Sequence, residues 1–272
     1  MRVVRWVPIF MLAWTVMPLA HASAESDDVG GRGGTTQTDM ILAGVQFGRP
    51  PSAKGKADSS GCMWVPAGET GTFDSGVVDE RVVNGVTQHL FLRSCPTSIV
   101  GVWVSQVPAS RLGLSGSSLV KERLPKPVLG SAPRVGAGVV KLGMWLWADP
   151  AQYKPVSVSA WVPTPTGIVW ARTTAKPVAL VFESGEPGAE LVRCTGPGDV
   201  WQVGFGDDAA SPCMYTYQHS SEIAGGRFAA TWSIVWDISW RSNVAVGQNL
   251  GEYTTTSNVG VDVREIQAVI VS

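Results

Sequence analysis

The chain has 272 residues, 44% of them hydrophobic and 16% charged, with a formal net charge of −1. So even a balance excludes nucleic acid or an acidic membrane surface as the main partner. The length allows one large or two smaller domains, and 31 glycines with 18 prolines suit short strands and many turns.

Residues 1–24 read as an export signal. Arg2 and Arg5 give a basic start, Trp6 to Leu19 is largely apolar, and Ala20-His21-Ala22 and Ala22-Ser23-Ala24 both fit small-x-small cleavage. The apolar stretch is short against the ~20 residues of a membrane span and is interrupted by Pro8 and Pro18. Membrane contact is therefore expected only through this signal, if it is retained as an anchor. Processing takes away two arginines and no acid, leaving 19 basic and 22 acidic residues and a net charge near −3. The chain is expected to be secreted or held at the cell surface.

Residues 25–60 have little to bury and read as a flexible leader, with Gly30-Gly31-Arg32-Gly33-Gly34 its clearest part. A small β region follows over 61–107. Asn84-Gly85 between Val82-Val83 and Val86-Thr87 predicts a type I′ hairpin. The strand after the turn runs on through Leu90, Phe91 and Leu92 to Cys95, and another spans Ile99 to Val104. Residues 108–138 read as a Pro-rich connector. Within it, one short helix is predicted over Ser115–Leu124, capped by Ser117 or Ser118.

Residues 139–272 read as an all-β sandwich. Strands are predicted at Val140–Ala148, Val156–Val162, Ile168–Thr173, Val178–Phe182, Leu191–Cys194, Tyr215–Tyr217, Phe228–Trp240 and Val259–Val271. Trp145 and Trp147 share a face. Phe228, Ala230, Trp232, Ile234, Trp236, Ile238 and Trp240 alternate with mostly small or polar residues, which gives one strand with a heavy aromatic face. A phase shift near Arg264-Glu265 predicts a β-bulge.

The four cysteines, Cys62, Cys95, Cys194 and Cys213, read as disulfides in an exported chain. Cys62–Cys95 and Cys194–Cys213 are the expected pairs, because each falls within one folded region. Zinc is not expected: no CxxC occurs, and only His89 and His219 survive processing.

Three elements in order resemble PKD (polycystic kidney disease) domains. Val178-Ala179-Leu180-Val181-Phe182-Glu183-Ser184-Gly185-Glu186-Pro187-Gly188 is similar to the strand and turn carrying the W-D-F-G-D-G signature. Pro212-Cys213-Met214-Tyr215-Thr216-Tyr217 is similar to the P-x-H-T-Y element, and Gly225-Gly226-Arg227-Phe228 through Ile234 to the strand after it. They cover roughly residues 156–241. The chain departs from the pattern at Gly185-Glu186-Pro187-Gly188, at Phe228 in place of Tyr, and in the Cys-bounded excursion 194–213. The mature chain as a whole also resembles uncharacterised secreted actinobacterial proteins with such C-terminal domains. The resemblance implies an immunoglobulin-like sandwich used as a spacer or adhesion module. It also implies that Phe182, Gly185, Gly188 and Tyr217 are structural positions.

Catalytic motifs are sparse. His89 falls mid-strand, His219 at a turn, and no G-x-S-x-G elbow occurs. Glu183, Glu186, Asp207 and Asp208 are the carboxylates a glycosidase could use, but all lie in Gly/Pro-flanked turns. Gly206-Asp207-Asp208 lacks the D-x-D-x-D spacing of a calcium loop, and no cofactor is expected. Ten tryptophans remain after processing. Trp232 and Trp236 are expected in the core. Trp201 in the stapled excursion, with Trp240 and Arg241 at a strand end, are the expected contact surface. The expectation is a non-catalytic extracellular or cell-envelope module contacting protein or glycan, with a secreted carbohydrate-active hydrolase as the alternative and a structural subunit of a surface assembly as a third reading.

Overall fold

A computed structural model describes residues 31–32, 46–47, 61–69, 79–206 and 209–266. The expected export signal lies outside these residues. So do Asp207 and Asp208. The chain is mostly β, with a single α-helix among the described residues. No described helix is long and apolar enough to cross a membrane.

Strands are numbered β1 Gly31–Arg32, β2 Gln46–Phe47, β3 Met63–Pro66, β4 Glu80–Val83, β5 Val86–Cys95 and β6 Ser98–Ser105. Helix α1 is Ala109–Glu122. Then come β7 Leu129–Ala132, β8 Gly138–Val139, β9 Gly143–Ala148, β10 Val156–Thr164, β11 Gly167–Glu183 and β12 Val192–Thr195. The last are β13 Met214–Thr216, β14 Phe228–Ser242, β15 Gln248–Val261 and β16 Val263–Arg264.

The main sheet has seven strands in the order β1-β2-β10-β11-β14-β15, with β12 also pairing β11. Two of these strands fall inside the expected leader: β1 pairs β2, and β2 adds to the edge of β10 at Ala160 and Trp161. That part of the leader is sheet. At the other side β15 is the edge strand, and no described strand pairs with its outer side.

The alternation in β14 is realised as expected. Phe228, Ala230, Trp232, Ile234, Trp236, Ile238 and Trp240 are all buried on one face. Most of that face packs against the three-stranded sheet β13-β9-β7, with Met144, Leu146 and Ala148 of β9 and Tyr217 closing the main core. Tyr217 stacks on Phe228 at 5.2 Å.

Strand β11 is a single element of 17 residues, where two separate strands were expected. Pro177, which reads as a break, sits where the pairing with β14 shifts register between Pro177 and Ala179. Val178 is the extra residue of a bulge, the one place an interior proline is tolerated. The inward set Ala171, Thr173 and Ala175 thereby resumes at Leu180 and Phe182.

Helix α1 starts six residues before the predicted position and is not a loose connector. Its buried residues, Ala109, Leu112, Gly113, Gly116, Ser117 and Val120, recur at helical spacing against the main sheet. Apart from Leu112 and Val120 that face is built of small residues, so it carries a reduced hydrophobic signal. Closeness is its purpose: Thr173 Oγ1 donates to the Gly113 carbonyl at 2.8 Å. A Cβ on Gly113 would lie 2.5 Å from the Trp240 ring. Gly113→Leu is therefore expected to lower unfolding stability by about 2–3 kcal/mol through overpacking. Leu114→Ala at the exposed neighbour should change it little, and urea melts of the two variants make the comparison.

The predicted Asn84-Gly85 hairpin forms. Asn84 (φ 50°) and Gly85 (φ 78°) make the left-handed hairpin turn between β4 and β5. Phe91 and Val104 from this four-stranded sheet meet Ala109 and Leu112 of α1, Ala160 and Val162 of β10, and Trp240 in a second core. Trp64 meets Trp161 edge-on at 6.1 Å.

The expected bulge near Arg264-Glu265 is a strand end. Strand β15 stops at Val261, Asp262 lies between strands, and β16 leaves to pair in parallel with β8. The remainder of the predicted last strand, residues 267–272, lies outside the described residues. Both disulfides, Cys62–Cys95 and Cys194–Cys213, form as expected and leave no free cysteine. They point to an oxidising, extracellular-type environment.

Candidate functional site

Strand β9 alternates like β14. Met144, Leu146 and Ala148 face the main core, so Trp145 and Trp147 face outward from the three-stranded sheet. An outward pair of indoles needs a cover, and the stapled excursion supplies one.

Three bonds tie that excursion to β9. The Leu146 N–H donates to the Cys213 carbonyl at 2.9 Å, the Ala148 N–H to the Pro197 carbonyl at 2.8 Å, and the Trp145 indole N–H to the Ala209 carbonyl at 3.2 Å. The Cys194–Cys213 bond closes the loop by tying its start in β12, on the main sheet, to its end at Cys213, beside β9. Phe205 from the loop stacks on Trp145 at 5.4 Å.

The loop does not close over everything. A cleft of about 380 Å³ remains, lined by Trp145, Trp147 and Trp201, with Ser131 and Arg134 on the β7 side. Trp145 is buried, Trp147 half-buried, and Trp201 is 36% exposed. Gly130 lets the wall approach, since a Cβ there would run into the Trp147 indole. Arg134 is exposed and makes no ion pair among the described residues.

The expected contact surface divides. Trp201 is at the cleft. Trp240 is only 5% exposed and lies beneath α1, so its expected role as a surface residue is corrected. A strand-end tryptophan looked free in the sequence because nothing there shows that Gly113 will lie on its ring. Arg241 is exposed and leaves β14 on the opposite face from Trp240. The structure does not bring these three together.

The candidate catalytic groups are held otherwise. Glu183 is exposed, and Glu186 is buried. The Glu186 carboxylate accepts four hydrogen bonds: from Tyr215 Oη (2.6 Å), the Gln218 N–H (2.9 Å), the His219 N–H (2.7 Å) and His219 Nδ1 (2.8 Å). Burial acts to raise this carboxyl, but the hydrogen bonds outweigh it and hold the group below its ordinary value. Burial together with the Glu186 bond pushes the Tyr215 phenol up to about 12. Tyr217, raised mainly by burial, donates to the Ser184 carbonyl at 3.2 Å.

This network is a clamp joining the turn after β11 to the turn after β13. Gly185 (φ 72°) and Gly188 (φ 76°) supply the backbone that the first turn requires, and a Cβ on Gly185 would meet the Ala229 carbonyl at 2.5 Å. His89 sits in β5 between Gln106 Nε2 (2.8 Å) and Glu80 (3.8 Å), and no serine among the described residues is bonded to it. No group of three or more metal-ligating side chains occurs among the described residues.

Sequence reasoning singled out Trp201 but missed its partners Trp147, Trp145, Phe205 and Arg134. A usable signal was present: Trp145-Leu146-Trp147 places two rings opposite the core face. No protein-family model, curated protein or solved structure matches this chain.

Proposed function

We propose that this chain is a non-catalytic secreted or cell-envelope module that makes protein or glycan contacts. Its all-β frame serves as an immunoglobulin- or PKD-like sandwich that presents one aromatic cleft. The observation that carries this reading is the cleft: Trp201 held open to solvent beside Trp147 and Trp145 by a disulfide-bounded loop. A rigid aromatic hollow with a few polar groups is the usual form of a recognition site. The state of Glu186 supports a non-catalytic role, since an acid–base catalyst needs a carboxyl whose proton is free to move and this one is fully engaged. The two disulfides agree with work outside the cell.

The test is retention of the purified mature chain on a cell-envelope fraction. Trp201→Ala is expected to cut retention at least roughly tenfold while leaving the thermal midpoint within a few degrees, because the removed ring is partly exposed. Absence of retention by the wild-type chain, or turnover of a glycan or ester by it, defeats the reading.

A further inference from the structure

The chemistry of the cleft wall is more specific than the contact-module reading on which this inference rests. Among the described residues, Arg134 is the only charged side chain lining the cleft, and it has no ion-pair partner there. The indole N–H groups of Trp147 and Trp201 have no protein partner among the described residues either. The described wall therefore offers two unused indole donors, one positive charge and two accessible aromatic rings. Among the described lining residues there is no carboxylate.

We propose that the cleft binds an anionic sugar ring, a pyranose bearing a carboxylate, within an acidic glycan. A pyranose has an apolar C–H face that is weakly positive and stacks on the electron-rich face of an indole. Its edge carries hydroxyl and ring oxygens, which accept from the indole N–H groups. The carboxylate meets the Arg134 guanidinium, a planar fork suited to bidentate pairing. The volume of about 380 Å³ is at the small end of the ligand-site range, suited to one or two rings rather than a long strand of protein. A proline-rich peptide also stacks on tryptophans, but it brings no anion for Arg134 and few acceptors for the remaining donors. The described wall thus carries one positive charge and seeks acceptors. That chemistry favours an acidic sugar over a neutral one.

The experiment titrates the mature chain with galacturonate and mannuronate trimers, a neutral galactose trimer, a proline-rich decapeptide and AMP. Tryptophan fluorescence and calorimetry are the readouts. At least one uronate trimer is expected to bind roughly tenfold more tightly than the neutral trimer, the scale of one charge-assisted bidentate contact. Arg134→Gln is expected to remove that preference while leaving weak binding of the neutral trimer. Trp201→Ala is expected to remove binding of both trimers, with Trp201→Phe restoring part of it. Near-ultraviolet circular dichroism of each variant confirms that the fold is kept.

Equal binding of acidic and neutral trimers, indifference to Arg134→Gln, or no binding of any trimer at millimolar concentration overturns the proposal. So does tighter binding of the peptide or AMP than of the uronates. If the trimers fail while Trp201→Ala still abolishes envelope retention, only the sugar assignment falls. If the wild-type chain is not retained at all, the contact-module reading falls with it.

Discussion

Glu186→Ala is expected to lower the unfolding free energy at pH 7 by about 3–4 kcal/mol. The substitution leaves four donors, from Tyr215, Gln218 and His219, without the acceptor they share. Glu186→Gln keeps an acceptor oxygen and the shape but loses the charge, so about 1–2 kcal/mol is expected. The pH dependence separates charge from shape. The folded-state carboxyl lies below the ordinary value of 4.5, so the unfolded chain takes up a proton first as pH falls. The stability that the charge contributes is complete above that ordinary value and is lost as pH drops through the folded-state value. Urea melts at pH 7, 5, 4 and 3 should show the gap between wild type and Glu186→Gln constant down to about pH 5 and shrinking below it. A gap of the same size at every pH would mean that the charge is not what stabilises the clamp.

The second large effect concerns the staple. Cys194→Ala with Cys213→Ala opens a loop of 19 residues of separation, which on the chain-entropy model costs about 3 kcal/mol. For a chain of this size the thermal midpoint should fall by roughly 6–12 °C. Cys62→Ala with Cys95→Ala, of separation 33, should cost a similar amount. The two double variants should nevertheless differ in recognition. Loss of the first pair frees the loop carrying Phe205 and Trp201 from β9, so envelope retention should fall along with stability. Loss of the second pair loosens a region that does not line the cleft, so retention should persist at temperatures where the variant is folded. Equal retention by both would show that the three hydrogen bonds to β9 position the loop without the disulfide.

Much of the frame was legible because its signals are local. The aromatic alternation of β14, the Asn84-Gly85 turn and the division of cysteines between two regions each depend on residues close in sequence. Three features were hidden, for different reasons. Strand β15 is an edge: Tyr253-Thr254-Thr255-Thr256-Ser257 is largely exposed, so no apolar period marks it. Helix α1 presents glycine, alanine and serine beside Leu112 and Val120 to the sheet, and its first turns carry no capping side chain. The continuity of β11 depends on a bulge that turns Pro177 from a terminator into a kink. The cleft was half legible. Trp201 stood out in its loop, while the far wall around Ser131 and Arg134 comes from a strand some 70 residues earlier, paired to β9 in a register that single-sequence patterns do not carry.

Strand β15 has one more consequence. Its 14 residues run the length of the main sheet, and their outer row of amide and carbonyl groups meets no described strand. Glu252 is its only charged side chain, and it contains no proline. The register shift opposite Ile238/Ser239, near Gly251, is the one irregularity that bends the strand away from a flat edge. The concentration at which this protein stays monodisperse is thus a property of that edge and not of its core. A variant with a stronger core would melt higher and still associate as readily, whereas a lysine placed on the rim would improve its colloidal behaviour without moving its melting temperature.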